Sequence, residues 1–210
     1  AGETISIGIG QGYNAFTLLQ LAHATANLAN KGVVMKPHLV KLVENPVTGE
    51  IRQTVPSESY RIPVKPEHIK VITDAMVDVN LVGTGRLAFA NVPYKVAGKT
   101  GTAQVVGIKQ GEKYNEAKMR ERHRDHSLFI AFAPADDPKV AVALIVENGG
   151  FGARAAAPIA RQVIDYVLLG TVPNGPALPK GGAPADDESD ENALVANSGR
   201  PEIDVQKATP

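Results

Sequence analysis

Ala97-Gly98-Lys99-Thr100-Gly101-Thr102-Ala103-Gln104 is the stretch from which the rest of this chain is read. It lies in a segment, Tyr94 to Val106, that reads as a strand. Gly101, inside that strand, removes a side chain where a second backbone can lie alongside. That suits a strand whose edge pairs with an extended peptide. Lys99 supplies a fixed positive charge and Thr100 a hydroxyl donor, both suited to a carboxylate on such a peptide. The N–H of Thr102 is available as one oxyanion-hole donor, and Gln104 lies further along the same strand. The sequence therefore predicts a substrate-binding strand built on Lys99, Thr100, Gly101 and Thr102, with Gln104 as a further contact.

Downstream, Ser127 to Ala133 and Lys139 to Glu147 are apolar on both faces and predict two strands covered on both sides. The turn between them, Asp136-Asp137-Pro138, is too short for a parallel crossover, so they form an antiparallel hairpin. Asn148 to Gly152 reads as a flexible loop. Ala155 to Leu169 reads as a helix with Ile159, Ala160, Val163, Ile164, Val167 and Leu168 inward, ended by Gly170. Upstream, Gly83-Thr84-Gly85 breaks the chain. Before it, 66–80 predicts an amphipathic helix with Pro66 in its first turn and Ile69, Ile72, Met76 and Val79 as its stripe. Short strands at 33–43 and 51–55 flank the turn Asn45-Pro46-Val47-Thr48-Gly49. Thr17 to Asn30 predicts a helix with Leu18, Leu21, Ala22, Thr25, Leu28 and Ala29 on one side, Asn14 as N-cap and Gly32 as the stop. Residues 5–12, with Gly8, Gly10 and Gly12, predict a strained loop with close backbone approach. The fold class is α+β, and no internal repeat is present.

With 210 residues, 43% of them apolar and 21% charged, the chain suits one soluble domain with a sizeable core. Lys plus Arg and Asp plus Glu both number 22, so nothing global points to nucleic acid. The balance is uneven: residues 171–210 carry a net charge of −4 and residues 1–170 carry +4. The last segment also holds six Pro and four Gly with almost no aliphatic period, and predicts a disordered tail. No cysteine occurs, which excludes disulfides, thiolate metal sites and a cysteine nucleophile. No run of 18 apolar residues exists to span a membrane. The opening residues Ala1-Gly2-Glu3-Thr4 lack the basic and apolar regions of a signal peptide.

Other chemistry-bearing residues weigh less. Gly10-Gln11-Gly12 lacks the Lys-Ser/Thr of a phosphate loop and the spacing of a dinucleotide fingerprint. His123-Arg124-Asp125-His126 offers two imidazoles and a carboxylate but no fourth ligand, so no metal is assigned. No cofactor-binding motif is found. Residues 107–126 are highly charged, with Lys109, Lys113, Lys118, Arg120, Arg122 and Arg124 against Glu112, Glu116, Glu121 and Asp125. With Tyr114 as the one aromatic they do not resemble a nucleic-acid surface, and they read as an excursion near the substrate cleft. His23, His38 and His68 are scattered and structural, and Asp74 and Asp78 lie on the solvent side of their helix.

Lys-Thr-Gly is also one of three motifs that build a penicillin-recognising site. The other two, Ser-x-x-Lys and Ser-x-Asn or Ser-Asp-Asn, do not occur in this sequence. The flanks extend the likeness. Gly10-Gln11-Gly12, Thr17-Leu18-Leu19-Gln20-Leu21-Ala22, Asn30-Lys31-Gly32, Pro37-His38-Leu39-Val40 and Lys99 to Gln104, in this order, resemble the C-terminal half of a class B penicillin-binding protein transpeptidase domain. Tyr114-Asn115, Arg120-Glu121-Arg122, Arg124-Asp125-His126, Ala131-Phe132-Ala133-Pro134 and Val146-Glu147-Asn148-Gly149-Gly150 resemble the elongation-specific branch, penicillin-binding protein 2. The resemblance covers residues 1–170.

It implies the last three strands of a five-stranded antiparallel sheet, packed with helices. It also implies a parent enzyme that cross-links peptidoglycan stem peptides through an acyl-serine, is trapped by β-lactams and works at the periplasmic face of the bacterial inner membrane. Lys99 and Thr100 would hold the terminal carboxylate, Gly101 would give clearance and Thr102 its backbone donor. The nucleophile is expected outside this chain, which alone is expected to be inactive. Cell-elongation scaffold and glycosyltransferase proteins are implied partners. A β-lactamase or carboxypeptidase relative, and a non-catalytic module that grips peptides or scaffold proteins, are the other readings.

Overall fold

The computed structural model describes residues 2–8, 10–107, 114–115 and 119–170. The predicted tail and most of the charged 107–118 stretch lie outside the described residues. In chain order the elements are α1 (Gly2–Gly8), α2 (Leu18–Ala29), β1 (Val33–Met35), β2 (Leu42–Glu44), β3 (Ile51–Gln53), β4 (Glu58–Arg61), α3 (Pro66–Leu81), β5 (Ala97–Ala103), β6 (His126–Ala133), β7 (Val140–Val146) and α4 (Ala156–Leu169).

The main sheet is antiparallel in the order β5-β6-β7, with Lys99 opposite Ile130 and Ile130 opposite Ala143. Alternate residues of β6 feed two cores, as the pleat requires. Phe129, Ala131 and Ala133 meet Ala156, Ala157, Ala160 and Ile164 of α4, together with Phe89, whose ring stacks on Phe129 at 5.4 Å. Phe132 points the other way, onto Ala97 and onto Met76 of α3, with Leu28 and Ala29 of α2 beside them. Thus α4 covers one face while α2 and α3 cover the other, which is why β6 and β7 carry no polar face. The expected α+β class and the antiparallel hairpin are both found.

Several local expectations differ. The N-cap of α2 is Thr17, not Asn14. Thr17 Oγ1 accepts from Gln20 N at 3.2 Å and Thr17 N donates to Gln20 Oε1 at 2.8 Å, a reciprocal capping box. Asn14 is engaged elsewhere, its Nδ2 donating to Ile7 O and Gln11 O at 3.1 Å. The α2 stop comes in two steps: Lys31 at φ 56° and Gly32 at φ +88°, with Gly32 N donating to Asn27 O and Lys31 N to Leu28 O. Residues 5–8 are helical rather than looped, and space is open around Gly8 and Gly10. β4, paired with β1, was not foreseen, because Glu58-Ser59-Tyr60-Arg61 is exposed throughout and has no buried face to pattern. β5 is shorter than the expected Tyr94–Val106.

The expected helix stripes are found in part. In α3 Ile69, Met76 and Val79 are covered, together with Thr73, Val77 and Asn80, while Ile72 is 47% exposed. In α4 Val163 and Val167 are exposed while Asp165 is fully buried. Helices start where capping chemistry permits, but the third dimension sets which side is covered. The β2–β3 hairpin, around Asn45 whose Oδ1 accepts from Val47 N and Thr48 N, is exposed at every strand position, Leu42, Val43 and Ile51 included.

Two substitutions separate the found α4 face from the expected one. Ile164→Ala should lower unfolding free energy by about 2–5 kcal/mol, the usual cost of a cavity in a packed core. Val163→Ala, one residue away and 43% exposed, should change it by less than about 0.5 kcal/mol. Urea unfolding of the two variants checks the difference.

Candidate functional site

β5 has one edge paired to β6 and one edge open among the described residues. Backbone groups of alternate residues point to the same side of a strand. Thr102 O and Gln104 N are both reached by Gln11, which does not lie in the sheet, so the open edge belongs to Thr100, Thr102 and Gln104. The Thr102 N–H therefore points to the open edge too. Lys99 is exposed, and its Nζ donates to Thr100 O at 2.9 Å, which brings the ammonium to the same edge. The predicted residues are thus brought together, with Gln104 at the end of the row.

Two neighbours of this strand were not foreseen as contacts. Gln11 lies against its edge: Nε2 donates to Thr102 O at 2.6 Å, and Oε1 accepts from Gln104 N at 3.4 Å. Thr84 is hydroxyl to hydroxyl with Thr100 at 2.9 Å. Each sits between two glycines. Gly83 and Gly85 press on α3 so closely that an added Cβ would lie 2.9 Å from Val79 Cα and 2.1 Å from Asn80 Oδ1, respectively. A hydroxyl so held has its proton direction set by its neighbour, because Thr84 and Thr100 must divide donor and acceptor roles. The sequence signal is the flanking glycines, which by themselves mark a close backbone approach at 10–12 and a chain break at 83–85.

The strand itself is held from both ends. Asn80, buried on α3, donates Nδ2 to Val96 O at 2.9 Å just before β5 begins. At the far end Val105 N donates to Asp125 Oδ1 at 3.2 Å, and Asp125 N to Tyr114 Oη at 3.1 Å. His126 Nδ1 accepts from Asn148 N at 2.9 Å. The Asp125 carboxylate and the His126 imidazole, both considered for a metal, accept from backbone N–H groups here.

Gly101 does face another backbone, as its position suggested, but the backbone is from this chain. An added Cβ on Gly152 would lie 2.6 Å from Gly101 O, 2.9 Å from Gly101 N and 2.5 Å from Leu128 O. The 148–152 segment is therefore no free loop. Gly150 N donates to Asp125 O at 2.9 Å, Asn148 Nδ2 to Arg124 O at 3.0 Å, and Ser127 Oγ to Phe151 O at 3.0 Å.

A buried polar group on α4 secures the approach to β5. Tyr94 Oη donates to Asp165 Oδ1, and Arg161 Nε pairs with Asp165 Oδ2. Arg161 Nη1 also donates to Ala88 O and Ala90 O, each at 3.2 Å. Burial, and then the hydrogen bond to and the charge of Asp165, raise the Tyr94 phenol well above its ordinary value, opposed by Arg161.

A match to known proteins fits this arrangement. Residues 1–165 match the penicillin binding protein transpeptidase domain. The chain belongs to that family. It is 44% identical over 182 residues to the peptidoglycan D,D-transpeptidase MrdA of Haemophilus influenzae, covering 82% of this chain and 27% of that protein. To MrdA of Escherichia coli K12 it is 43% identical over 175 residues, covering 80% and 27%. The solved penicillin-binding protein 2 of Pseudomonas aeruginosa superposes with a TM-score of 0.65 at 39% identity, covering 87% of this chain and 36% of that one. Penicillin-binding protein A of M. tuberculosis, solved as its imipenem acyl-enzyme, gives 0.61 at 35% identity, covering 78% and 33%. The chain thus spans about a quarter of the length of the curated relatives it matches.

Two outcomes check the scaffold of this transpeptidase-family strand. Gly152→Ala forces a methyl against backbone that has no side chain to swing aside, and should cost about 1–3 kcal/mol in urea unfolding. For Tyr94 the folded state favours the neutral phenol. Its contribution to stability is full below the unfolded pKa of about 10 and is lost as pH rises above it. Unfolding free energy should therefore fall above about pH 10, and Tyr94→Phe should flatten that fall.

Proposed function

We propose that this chain is part of a peptidoglycan D,D-transpeptidase that cross-links stem peptides through an acyl-serine and is a target of β-lactams. The observation that carries the reading is the open edge of β5. It aligns the Thr102 N–H and the Lys99 ammonium where an extended, carboxylate-ended peptide can lie. The naming of its relatives as D,D-transpeptidases supports the same chemistry.

In this reading Lys99 and the Thr100 hydroxyl hold the terminal carboxylate of the donor peptide. Lys99 also polarises the serine of a Ser-x-Asn motif. Gly101 keeps the strand free of a side chain, and Gln104 contacts the peptide further along. A serine of a Ser-x-x-Lys motif, which these 210 residues lack, attacks the carbonyl between two D-alanines. The Thr102 N–H donates to the developing oxyanion, where a fixed donor lowers the barrier most. The C–N bond breaks, and D-alanine leaves with a proton on its amine. The acyl-serine is then resolved by an amine of a neighbouring stem peptide, which releases the serine and forms the cross-link. A β-lactam acylates the same serine as its ring C–N bond breaks, and the amine so formed takes a proton and stays tethered to the acyl group.

The site is proposed to work at the periplasmic face of the inner membrane, anchored by a segment outside these residues. No helix of the described residues is long and apolar enough to cross a membrane. Scaffold and glycosyltransferase proteins of cell elongation are the proposed partners. Residues 1–170 are assigned to the C-terminal part of the transpeptidase domain and 171–210 to a tail.

Intact mass after incubation with excess benzylpenicillin tests the reading. The 210-residue chain should remain unshifted, and the full-length protein encoded with its upstream frame should gain one adduct. Lys99→Ala in that protein should slow acylation by about 100-fold or more, the scale of losing a charge-stabilising group. An adduct on the chain alone would overturn the missing nucleophile. A full-length protein that takes no adduct would sink the transpeptidase assignment.

A further inference from the structure

The carboxamide of Gln11 offers, on the open edge of β5, one donor and one acceptor of the kind a residue of a paired strand supplies. Nε2 donates to Thr102 O at 2.6 Å and Oε1 accepts from Gln104 N at 3.4 Å. A neighbouring strand would offer the same donor and acceptor at the same two places. The turn that presents it is specific. Gly10 and Gly12 stand at φ +82° and +69°, a conformation that favours glycine. Asn14 Nδ2 ties the turn down by donating to Gln11 O at 3.1 Å.

The geometry points to Gln11 as a specificity-determining residue that ends the peptide-pairing edge of the Lys-Thr-Gly strand, so that the site takes a short carboxylate-ended peptide and gives no ladder contact beyond Thr102. This rests on the peptide-binding reading of β5. In antiparallel register, a peptide whose carboxylate is held at Lys99 and Thr100 runs back toward its own N-terminus along Thr102 and then Gln104. At Thr102 it finds an N–H that has no partner among the described residues and a carbonyl whose second lone pair can still accept. At Gln104 the N–H is already taken by Gln11 Oε1. Pairing stops there, and the peptide must leave the strand. Recognition of the residues before the scissile carbonyl is thereby withheld from the backbone of β5.

The test uses the full-length protein and two donors that end in D-Ala-D-Ala, one N-acetylated directly and one carrying two further residues before that acetyl group. The readout is the ratio of kcat/KM, long over short. Gln11→Ala frees Gln104 N–H and should raise this ratio about 2- to 10-fold, through KM, the worth of one net hydrogen bond. Gln11→Asn, too short to reach, should follow it. Gln11→Glu replaces the Nε2 donor by a second acceptor oxygen facing Thr102 O, so its carboxylate cannot keep the native pose and it should raise the ratio as Gln11→Ala does. In hydrogen exchange read by mass spectrometry, the segment holding Gln104 should exchange faster in Gln11→Ala than in the native protein. An unchanged ratio in Gln11→Ala, or unchanged exchange at Gln104, overturns the inference. Benzylpenicillin acylation of the unsubstituted protein separates the two failures: if it does not occur, the peptide-binding reading falls and takes this inference with it.

Discussion

The pairing of β5 with β6 is the constraint on which the rest depends. A strand has two edges, and its backbone groups alternate between them. Once one set is bonded to β6 in the register that puts Lys99 opposite Ile130, the other set must face outward. Thr100, Thr102 and Gln104 belong to that outward set. An open edge is ordinarily a hazard, because it invites pairing with any extended chain. Here the same property is the proposed means of recognition, and the chain restricts it with a single side-chain amide rather than with a covering strand.

Around that edge the structure repeats one device. Gly10-Gln11-Gly12 and Gly83-Thr84-Gly85 are both turns in which two glycines set one polar side chain against β5. In the first the glycines supply positive φ, and in the second they supply clearance beside Val79 and Asn80. The remaining supports are backbone contacts made by Asn80, Asp125, Asn148 and Ser127. Side chains that hold backbone leave a site with fewer soft degrees of freedom than side chains that hold one another. The Tyr94–Asp165–Arg161 group belongs to the same scheme. Arg161 Nε pairs with the charge of Asp165 while Nη1 donates to Ala88 O and Ala90 O, so that the segment leading into β5 is fastened to α4.

Much of this was legible in the sequence, for local reasons. The β6–β7 hairpin followed from two apolar runs joined by three residues. The helices over 18–29, 66–81 and 156–169 followed from period and punctuation. Lys99, Thr100 and Thr102 were picked out by residue type alone, and they do gather on one strand. Misreadings came where a residue's partner is far along the chain. Asn14 looked like a cap until Ile7 and Gln11 took its amide. Nothing local announces that Asp165 is buried, because its partner Tyr94 lies 71 positions away. Gly152 looked like slack in a loop, and is the point where backbone meets backbone.

The sequence by itself determined the strand order of the hairpin, the class of fold and the charged, hydroxylic character of the Lys-Thr-Gly strand, since these depend on residue type and on spacings of a few positions. Only the tertiary structure decided that Ile72, Val163 and Val167 lie off the covered sides of α3 and α4, that the edge of β5 is open among the described residues, and that Gln11 meets Thr102 from 91 positions away. The physical reason is that an unpaired backbone group has no signature in its own residue. Whether it is free is settled by what the rest of the chain brings to it.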